Sequence, residues 1–180
     1  MTPAIDPSIT MKALLEQLPG AQRALFRKYH IGGCASCGFS PDETLQQVCD
    51  RNDHLPVDEV IAYLLEAHEE DKKMLVEPRE LLALREEGRL PRLLDIRTRD
   101  EFEAARIEGS VLFTQELMQE ILGRWDRNEL IVIIDHQGKR SLDAAAYFAG
   151  HGFQAVKALR GGIDAWSAEA DPSVPRYEIE

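Results

Sequence analysis

Cysteine is scarce in this sequence, and long apolar runs are missing. Three cysteines among 180 residues are an odd number and too few to hold a secreted fold of this length together by disulfides. No run approaches the ~18 apolar residues that cross a bilayer. The first residues also lack the basic and apolar segments of a secretory leader. We therefore expect a cytoplasmic protein that does not insert into a membrane.

Positive charge is in the minority. Lys and Arg number 21 against 32 Asp and Glu, which gives a formal net charge of −11. A negative field repels polyanions, so nucleic acid and anionic membrane surfaces are poor candidates as partners. Apolar residues make up 44% and charged residues 29%, which is typical of a folded globular protein.

The pattern before about residue 73 is helical. An apolar stripe at helical spacing runs from Met11 to Leu18 behind a capping threonine. The run Ser40-Pro41-Asp42-Glu43 predicts the start of another helix, because it offers a capping serine, a proline in the first turn and a glutamate three residues after the cap. A later helix is expected to end in the charged stretch 66–73, and no strand is predicted before residue 90. We therefore predict a small all-α domain over residues 1–73.

Beyond about residue 77 the pattern alternates between short apolar runs and helices. The run Leu130–Ile134 is mostly β-branched and predicts a strand that is buried on both faces. Leu93–Ile96, Val111–Phe113 and Ala155–Ala158 are shorter apolar runs, with helical patterns between them. Such alternation predicts a parallel sheet with helices on both sides. We therefore predict an α/β domain over residues 74–180.

The loop after the most buried strand is the first candidate site. In parallel sheets, ligands bind where strands end and helices begin. Gly138 permits a tight turn whose amides converge with the next helix N-terminus, and Arg140 adds a fixed cation. These features predict an anion-binding loop, formed by Asp135, His136, Gln137, Gly138, Lys139, Arg140 and Ser141.

Three ordered motifs in this half resemble the rhodanese family. The segment from Leu93 to Phe102 looks like the family's first signature, and Leu159–Trp166 is similar to its closing Gly-Gly and tryptophan motif. The loop matches the family pattern Cys-x-x-Gly-x-Arg-Ser at Gly138, Arg140 and Ser141. The resemblance implies a rhodanese-like fold and, in active members, a cysteine at the first loop position that carries sulfur as a persulfide.

Asp135 stands where that cysteine would be. A carboxylate forms no persulfide, and its charge would occupy the amides that otherwise receive an anionic donor such as thiosulfate. We therefore favour a catalytically inactive, sulfurtransferase-like binding or regulatory module in sulfur, redox or iron–sulfur metabolism. Its expected partner is a small sulfur-containing anion or a protein. If the domain is an enzyme, its reaction is rhodanese-type sulfur transfer.

The expected roles of the residues around the loop are structural. Asp135 would accept hydrogen bonds from the loop amides, and Arg140 would pair with Asp135 or with Glu101. Arg97 is expected to form a structural ion pair and Trp166 to pack in the core.

The cysteines form the second candidate site. Cys34 and Cys37 lie three residues apart on a glycine-rich turn, and Cys49 follows on the next predicted helix. Three thiolates with His30 or His54 would complete a tetrahedral zinc site, and iron–sulfur ligation is an alternative. A dithiol that cycles to a disulfide or holds a persulfide is the second interpretation. Three buried cysteines without a ligand are the third.

This half is also similar to a known family. The segment Tyr29–Cys37, followed by Glu43-Thr44-Leu45 and Cys49, resembles the helical domain found beside hybrid-cluster (prismane) proteins and, more distantly, the N-terminal domain of iron–sulfur repair proteins. The resemblance implies cysteines near redox or iron–sulfur metabolism, without an established reaction. Two alternative functions stay open: a sulfurtransferase or redox protein with Cys34 and Cys37 as the sulfur carrier, and a metal-stabilised interaction module.

Overall fold

The chain divides into two compact units, Met1–Lys73 and Met74–Glu180. The computed structural model describes residues 4–33 and 38–178. Within the described part of the first unit, α1 spans Met11–Gln17, α2 Ala21–Tyr29, α3 Leu45–Arg51 and α4 Val57–Lys73. The predicted end of the last helix, in the charged stretch 66–73, is confirmed.

The helices of this unit enclose one apolar core. Its fully buried members include Met11, Leu14, Leu25, Val48 and Leu64, which come from all four helices. Hydrophobic burial of this kind, together with end caps, supplies most of the stability of short helices. The predicted helical character of this region is confirmed for its described residues.

The predicted helix start at Ser40 is wrong. α3 begins at Leu45, because Thr44 and Gln47 form a reciprocal capping box there. The backbone carbonyls of Pro41 and Glu43 instead accept hydrogen bonds from the amides of Lys12 and Met11, at the start of α1. Carbonyls used in this way are not free for an earlier helical turn.

The second unit is a five-stranded parallel sheet with helices between the strands. In chain order, the elements are β1 Leu75–Val76, α5 Pro78–Glu86, β2 Arg92–Asp95, α6 Arg99–Ala104, β3 Ser110–Leu112, α7 Gln115–Arg124, β4 Ile131–Ile134, α8 Ser141–Gly150, β5 Val156–Leu159 and α9 Gly162–Glu169. The strand order is β1-β5-β4-β2-β3, and every pairing is parallel. The predicted α/β fold class is confirmed.

Two apolar layers cover the two faces of this sheet. Val132 and Ile134 point into a layer with Trp166 of α9, whereas Ile131 and Ile133 point into a layer with Phe148 of α8. All four residues of β4 are buried, as predicted for a strand covered on both faces.

The expectation that no strand precedes residue 90 is wrong. β1 consists of Leu75 and Val76, which pair with Ala158 and Leu159 of β5. Two residues are too few to show a strand periodicity, so only the pairing identifies this strand. Among the described residues, no helix has the length and apolar composition needed to cross a membrane.

Candidate functional site

The predicted anion loop lies between the central strand and a helix. β4 ends at Ile134 and α8 begins at Ser141, so residues 135–140 form the connection. This position is the carboxyl edge of the sheet, where parallel sheets bind ligands.

The Asp135 carboxylate points inward and is enclosed by hydrogen-bond donors. Its Oδ1 accepts from the Gly138 amide at 2.6 Å and from the Ser141 hydroxyl at 3.1 Å. Its Oδ2 accepts from the amides of Arg140 at 2.7 Å and Ser141 at 3.2 Å. Only 4% of the residue is exposed. The carboxylate therefore uses the amides that would otherwise hold an external anion, and charge strengthens each of these bonds.

Two glycines allow the loop to lie directly against the start of α9. Gly138 has φ +80°, and a Cβ there would come within 2.6 Å of the Gly161 nitrogen. A Cβ on Gly162 would lie 2.5 Å from the carbonyl oxygens of both Asp135 and His136. Those carbonyls accept hydrogen bonds from the amides of Ile163 and Asp164. The glycines at 138 and 162 therefore let the first amides of α9 hydrogen-bond to the loop carbonyls.

The cationic side chains of the loop face outward. Lys139 and Arg140 are exposed, as is Gln137. Within residues 4–33 and 38–178, neither cation forms an ion pair, so the expected pairing of Arg140 with Asp135 or Glu101 is wrong. The physical reason is that Asp135 is already satisfied by backbone amides and Glu101 by other donors.

The ion pair expected for Arg97 is formed with Asp95, the last residue of β2. Its Nε and Nη2 donate to the Asp95 carboxylate at 2.9 and 2.6 Å, and both side chains are almost fully buried. Arg97 Nη2 also donates to the Ala105 carbonyl at 2.6 Å. Burial alone would lower the pKa of Arg97, but hydrogen bonds to Asp95 and Tyr177 outweigh it and raise the pKa. Trp166, fully buried, packs in the core as expected.

The His136 ring contacts Tyr177. Its Nε2 lies 2.9 Å from the Tyr177 carbonyl oxygen, and its ring stacks on the Tyr177 ring at a centroid distance of 4.4 Å. The Tyr177 hydroxyl donates to Glu101 at 2.9 Å and accepts from Arg97 Nη1 at 2.7 Å. Sequence reasoning missed Tyr177, because no motif or spacing connects it with a loop about forty positions earlier.

The surroundings of the loop shift the pKa values of the Tyr177 phenol and of its hydrogen-bond acceptor, Glu101. Burial raises the pKa of the Tyr177 phenol, so this hydroxyl stays protonated. Burial alone would also raise the pKa of Glu101, but hydrogen bonds from Thr98 and Tyr177 and the charge of Arg97 lower it overall. Glu101 is therefore an ionised acceptor beside the loop.

A small pocket opens next to these groups. Its volume is ≈ 210 Å³. The residues that line it are Arg97, Glu101, Asp135, His136, Gln137, Lys139 and Arg140. Five of the seven predicted loop residues therefore line one cavity, whereas Gly138 and Ser141 act through the Asp135 carboxylate.

The cysteine site is described only in part. Cys34 and Cys37 lie outside the described residues. Cys49 is buried in the helical core, where burial first and the Asp50 charge second raise the pKa of its thiol. His30 ends α2 with φ 58° and contacts the Phe26 ring edge-on. Across residues 4–33 and 38–178, no three His, Cys, Asp or Glu side chains form a group that could hold a metal. The metal or redox role of the full set stays a prediction.

Comparison with known proteins places the second unit in a family. Residues 77–169 match the sequence profile of the rhodanese-like domain. The chain therefore belongs to the rhodanese-like domain family.

Individual relatives are sulfurtransferases. Over 93 residues the chain is 31% identical to the thiosulfate sulfurtransferase GlpE of Pseudomonas savastanoi, a match that covers 52% of this chain and 86% of that protein. Over 108 residues it is 31% identical to the probable adenylyltransferase/sulfurtransferase MoeZ of Mycobacterium tuberculosis, covering 59% and 28% of the two chains. A crystal structure of a rhodanese-like domain protein from Staphylococcus aureus is 24% identical, with a TM-score of 0.47, and the match covers 58% of this chain and 98% of that chain.

Proposed function

We propose that residues 74–180 form a rhodanese-like binding or regulatory module that lacks sulfurtransferase activity of its own. The observation that carries this proposal is the Asp135 carboxylate, which accepts four hydrogen bonds inside its own loop. Family membership and the sulfurtransferase relatives support a role in sulfur metabolism. The redox or iron–sulfur part of the proposal rests on the resemblance carried by the first half of the sequence.

Two physical arguments connect this carboxylate with inactivity. Persulfide formation needs a thiolate that attacks the outer sulfur of the donor, and a carboxylate is no such nucleophile. An anionic donor also needs free amide donors, and those of Gly138, Arg140 and Ser141 already bind Asp135. The remaining attraction for an anion comes from the exposed cations Lys139 and Arg140. These favour binding of a small sulfur-containing anion or a protein partner at the rim, without chemistry in the loop.

The test is sulfur loading from thiosulfate, read by intact mass in a Cys34→Ser/Cys37→Ser background. We expect no added sulfur on this protein. Adding Asp135→Cys should give a gain of one sulfur atom, because the new thiolate attacks the outer sulfur of thiosulfate, the S–S bond breaks and sulfite leaves. Asp135→Ser is the matched control, since it has a similar size and no thiol.

The outcomes separate the alternatives. A sulfur adduct on the wild-type protein that disappears with Cys34→Ser or Cys37→Ser would move sulfur transfer to the cysteine pair. Sulfur transfer to cyanide that persists in the double cysteine variant would overturn the proposal. Stoichiometric zinc or iron in the purified protein would instead favour the metal-stabilised module.

A further inference from the structure

The chain continues past the residues that match the family, and this continuation returns to the loop. The match ends at residue 169. Residues 171–178, which we call the C-terminal strap, first turn beside α9, where Ser167 donates its hydroxyl hydrogen to the Val174 carbonyl and the Val174 side chain is buried. The strap is thus anchored by its middle, while its last residues reach the loop.

The first contact of the strap's last residues is made by Arg176 with α9. Its Nε and Nη2 donate to the two carboxylate oxygens of Asp164, a residue of α9, at 2.7 and 2.9 Å. Paired bonds of this kind fix the direction of the guanidinium as well as its charge. Most of the Arg176 side chain is exposed.

Tyr177 makes the second contact, through its hydroxyl, its ring and its carbonyl oxygen. Its hydroxyl lies between Arg97 Nη1 and Glu101, its ring stacks on His136, and its carbonyl oxygen faces His136 Nε2. Arg97 is held in place by its bonds to Asp95, so the partner groups of the phenol are prepositioned. The groups around Tyr177 therefore match the hydroxyl, the ring and the backbone carbonyl of a tyrosine.

We propose that this face binds a segment of a partner protein in which an arginine is followed directly by a tyrosine, and that the strap occupies the site in the absence of that partner. The inference deepens the proposed function, on which it rests, because it names the ligand of a binding module. In it, Asp164 recognises the arginine, and Arg97, Glu101 and His136 recognise the tyrosine.

We call Arg176 and Tyr177 the strap tip. Their contacts are of a kind that a segment of another chain can take over. They are hydrogen bonds, a ring stack and a half-exposed ion pair, all of which an equivalent segment from another chain reproduces. Arg97, Glu101 and His136 also line the ≈ 210 Å³ pocket next to the tip, so a longer partner segment finds room beside the Tyr177 position. The buried Val174 keeps the displaced strap attached. Since a tethered segment has a high effective concentration, the partner binds more weakly while the strap is docked.

The experiment uses the full chain and an acetylated Pro-Arg-Tyr-Glu peptide. The Arg176→Ala/Tyr177→Ala variant empties the site, and Tyr147→Ala is the matched control, because Tyr147 is an exposed tyrosine elsewhere, on α8. We expect the peptide to bind the double variant at least about tenfold more tightly than the wild type or Tyr147→Ala. Binding should shift the His136 ring signals in the NMR spectrum, and a Pro-Arg-Ala-Glu peptide should not.

Several results would overturn the inference. They are absence of binding to a folded double variant, equal binding to the wild type and the double variant, or binding that leaves the His136 signals unmoved. If the double variant does not fold, Tyr177→Phe serves instead: it keeps the ring but loses both phenol hydrogen bonds, and its peptide affinity should exceed that of the wild type. The proposed function fails separately, through wild-type sulfur transfer, which the mass measurement detects without the peptide.

Discussion

At the scale of single residues, the Asp135 carboxylate replaces both the sulfur carrier of the family and the anion that the loop amides would attract. Its four hydrogen bonds hold the loop closed on itself. One side chain therefore explains both the predicted lack of catalysis and the hydrogen bonds that close the loop.

Replacing Asp135 with alanine should lower the free energy of unfolding by about 2–4 kcal/mol, because buried amides lose a charged acceptor. Denaturant unfolding measures the change. Added formate should recover part of the loss in the variant but not stabilise the wild type, since it binds the vacated amides. Glu103→Ala, at an exposed position, is the control and should change stability by less than about 0.5 kcal/mol. An unchanged unfolding midpoint for Asp135→Ala would contradict the role given to the carboxylate.

Gly162→Ala should cost at least about 2 kcal/mol, because Gly162 has φ +62° and its new Cβ would meet two loop carbonyls. Gly150→Ala offers the comparison: a Cβ there has nothing within 4 Å. Its helix should be unaffected or slightly stabilised. Thermal unfolding of both variants tests the difference, and equal effects would show that loop packing against α9 is unimportant.

At the scale of elements, the helix caps and the strap are the informative features. Thr98 and Glu101 form a reciprocal capping box at the start of α6, whereas Ser40 and Glu43 do not start a helix. The difference is tertiary, because the carbonyls after Ser40 are used by α1. The strap shows the same dependence, since its contacts come from α6, α9 and the loop together.

Docking of the strap tip should weaken in acid. The hydrogen bond from Arg176 lowers the pKa of Asp164. The hydrogen bond from Tyr177 adds to those from Thr98 in lowering the pKa of Glu101. Carboxylates with a lowered pKa in the docked state stabilise docking above their ordinary pKa of about 4, and this contribution is lost as the pH falls through the docked pKa. NMR signals of the Tyr177 ring, followed from about pH 6 to about pH 3, should therefore move towards those of a free tyrosine. Asp164→Asn should reduce this pH dependence; an identical titration would exclude Asp164 as a contributor.

At the scale of the whole molecule, the second unit is one sheet between two apolar layers. Ile163 belongs to the layer with α9, and Ile121 to the layer with α7 and α8. The layers share the backbone of the sheet but not these side-chain contacts.

Ile163→Val and Ile121→Val should each lower the free energy of unfolding by about 0.5–1.5 kcal/mol, because each leaves a small cavity. In the double variant the two losses should add to within about 0.5 kcal/mol, since the sites lie in different layers. Denaturant titration of the two single variants and the double variant measures the sum. A larger deviation would mean that the two layers repack together.

The sequence by itself determined the α/β class, the helical character of the first half and the position of the loop. These features follow from local patterns: helical stripes, β-branched runs and the glycine positions. The rhodanese-like assignment rested on three motifs, and the match over residues 77–169 bears it out. Asp135 was identified as the departure from the family because a single residue type decides that chemistry.

Only the tertiary structure decided which groups meet. β1 exists through its pairing with β5, α3 starts late because α1 uses the preceding carbonyls, and Tyr177 joins the site from a segment with no motif. The Arg140 guanidinium does not pair with Asp135, because backbone amides and the Ser141 hydroxyl already satisfy that carboxylate. Each outcome depends on contacts between residues far apart in the chain, and the pattern of side chains along a sequence reports neighbours only within a few turns.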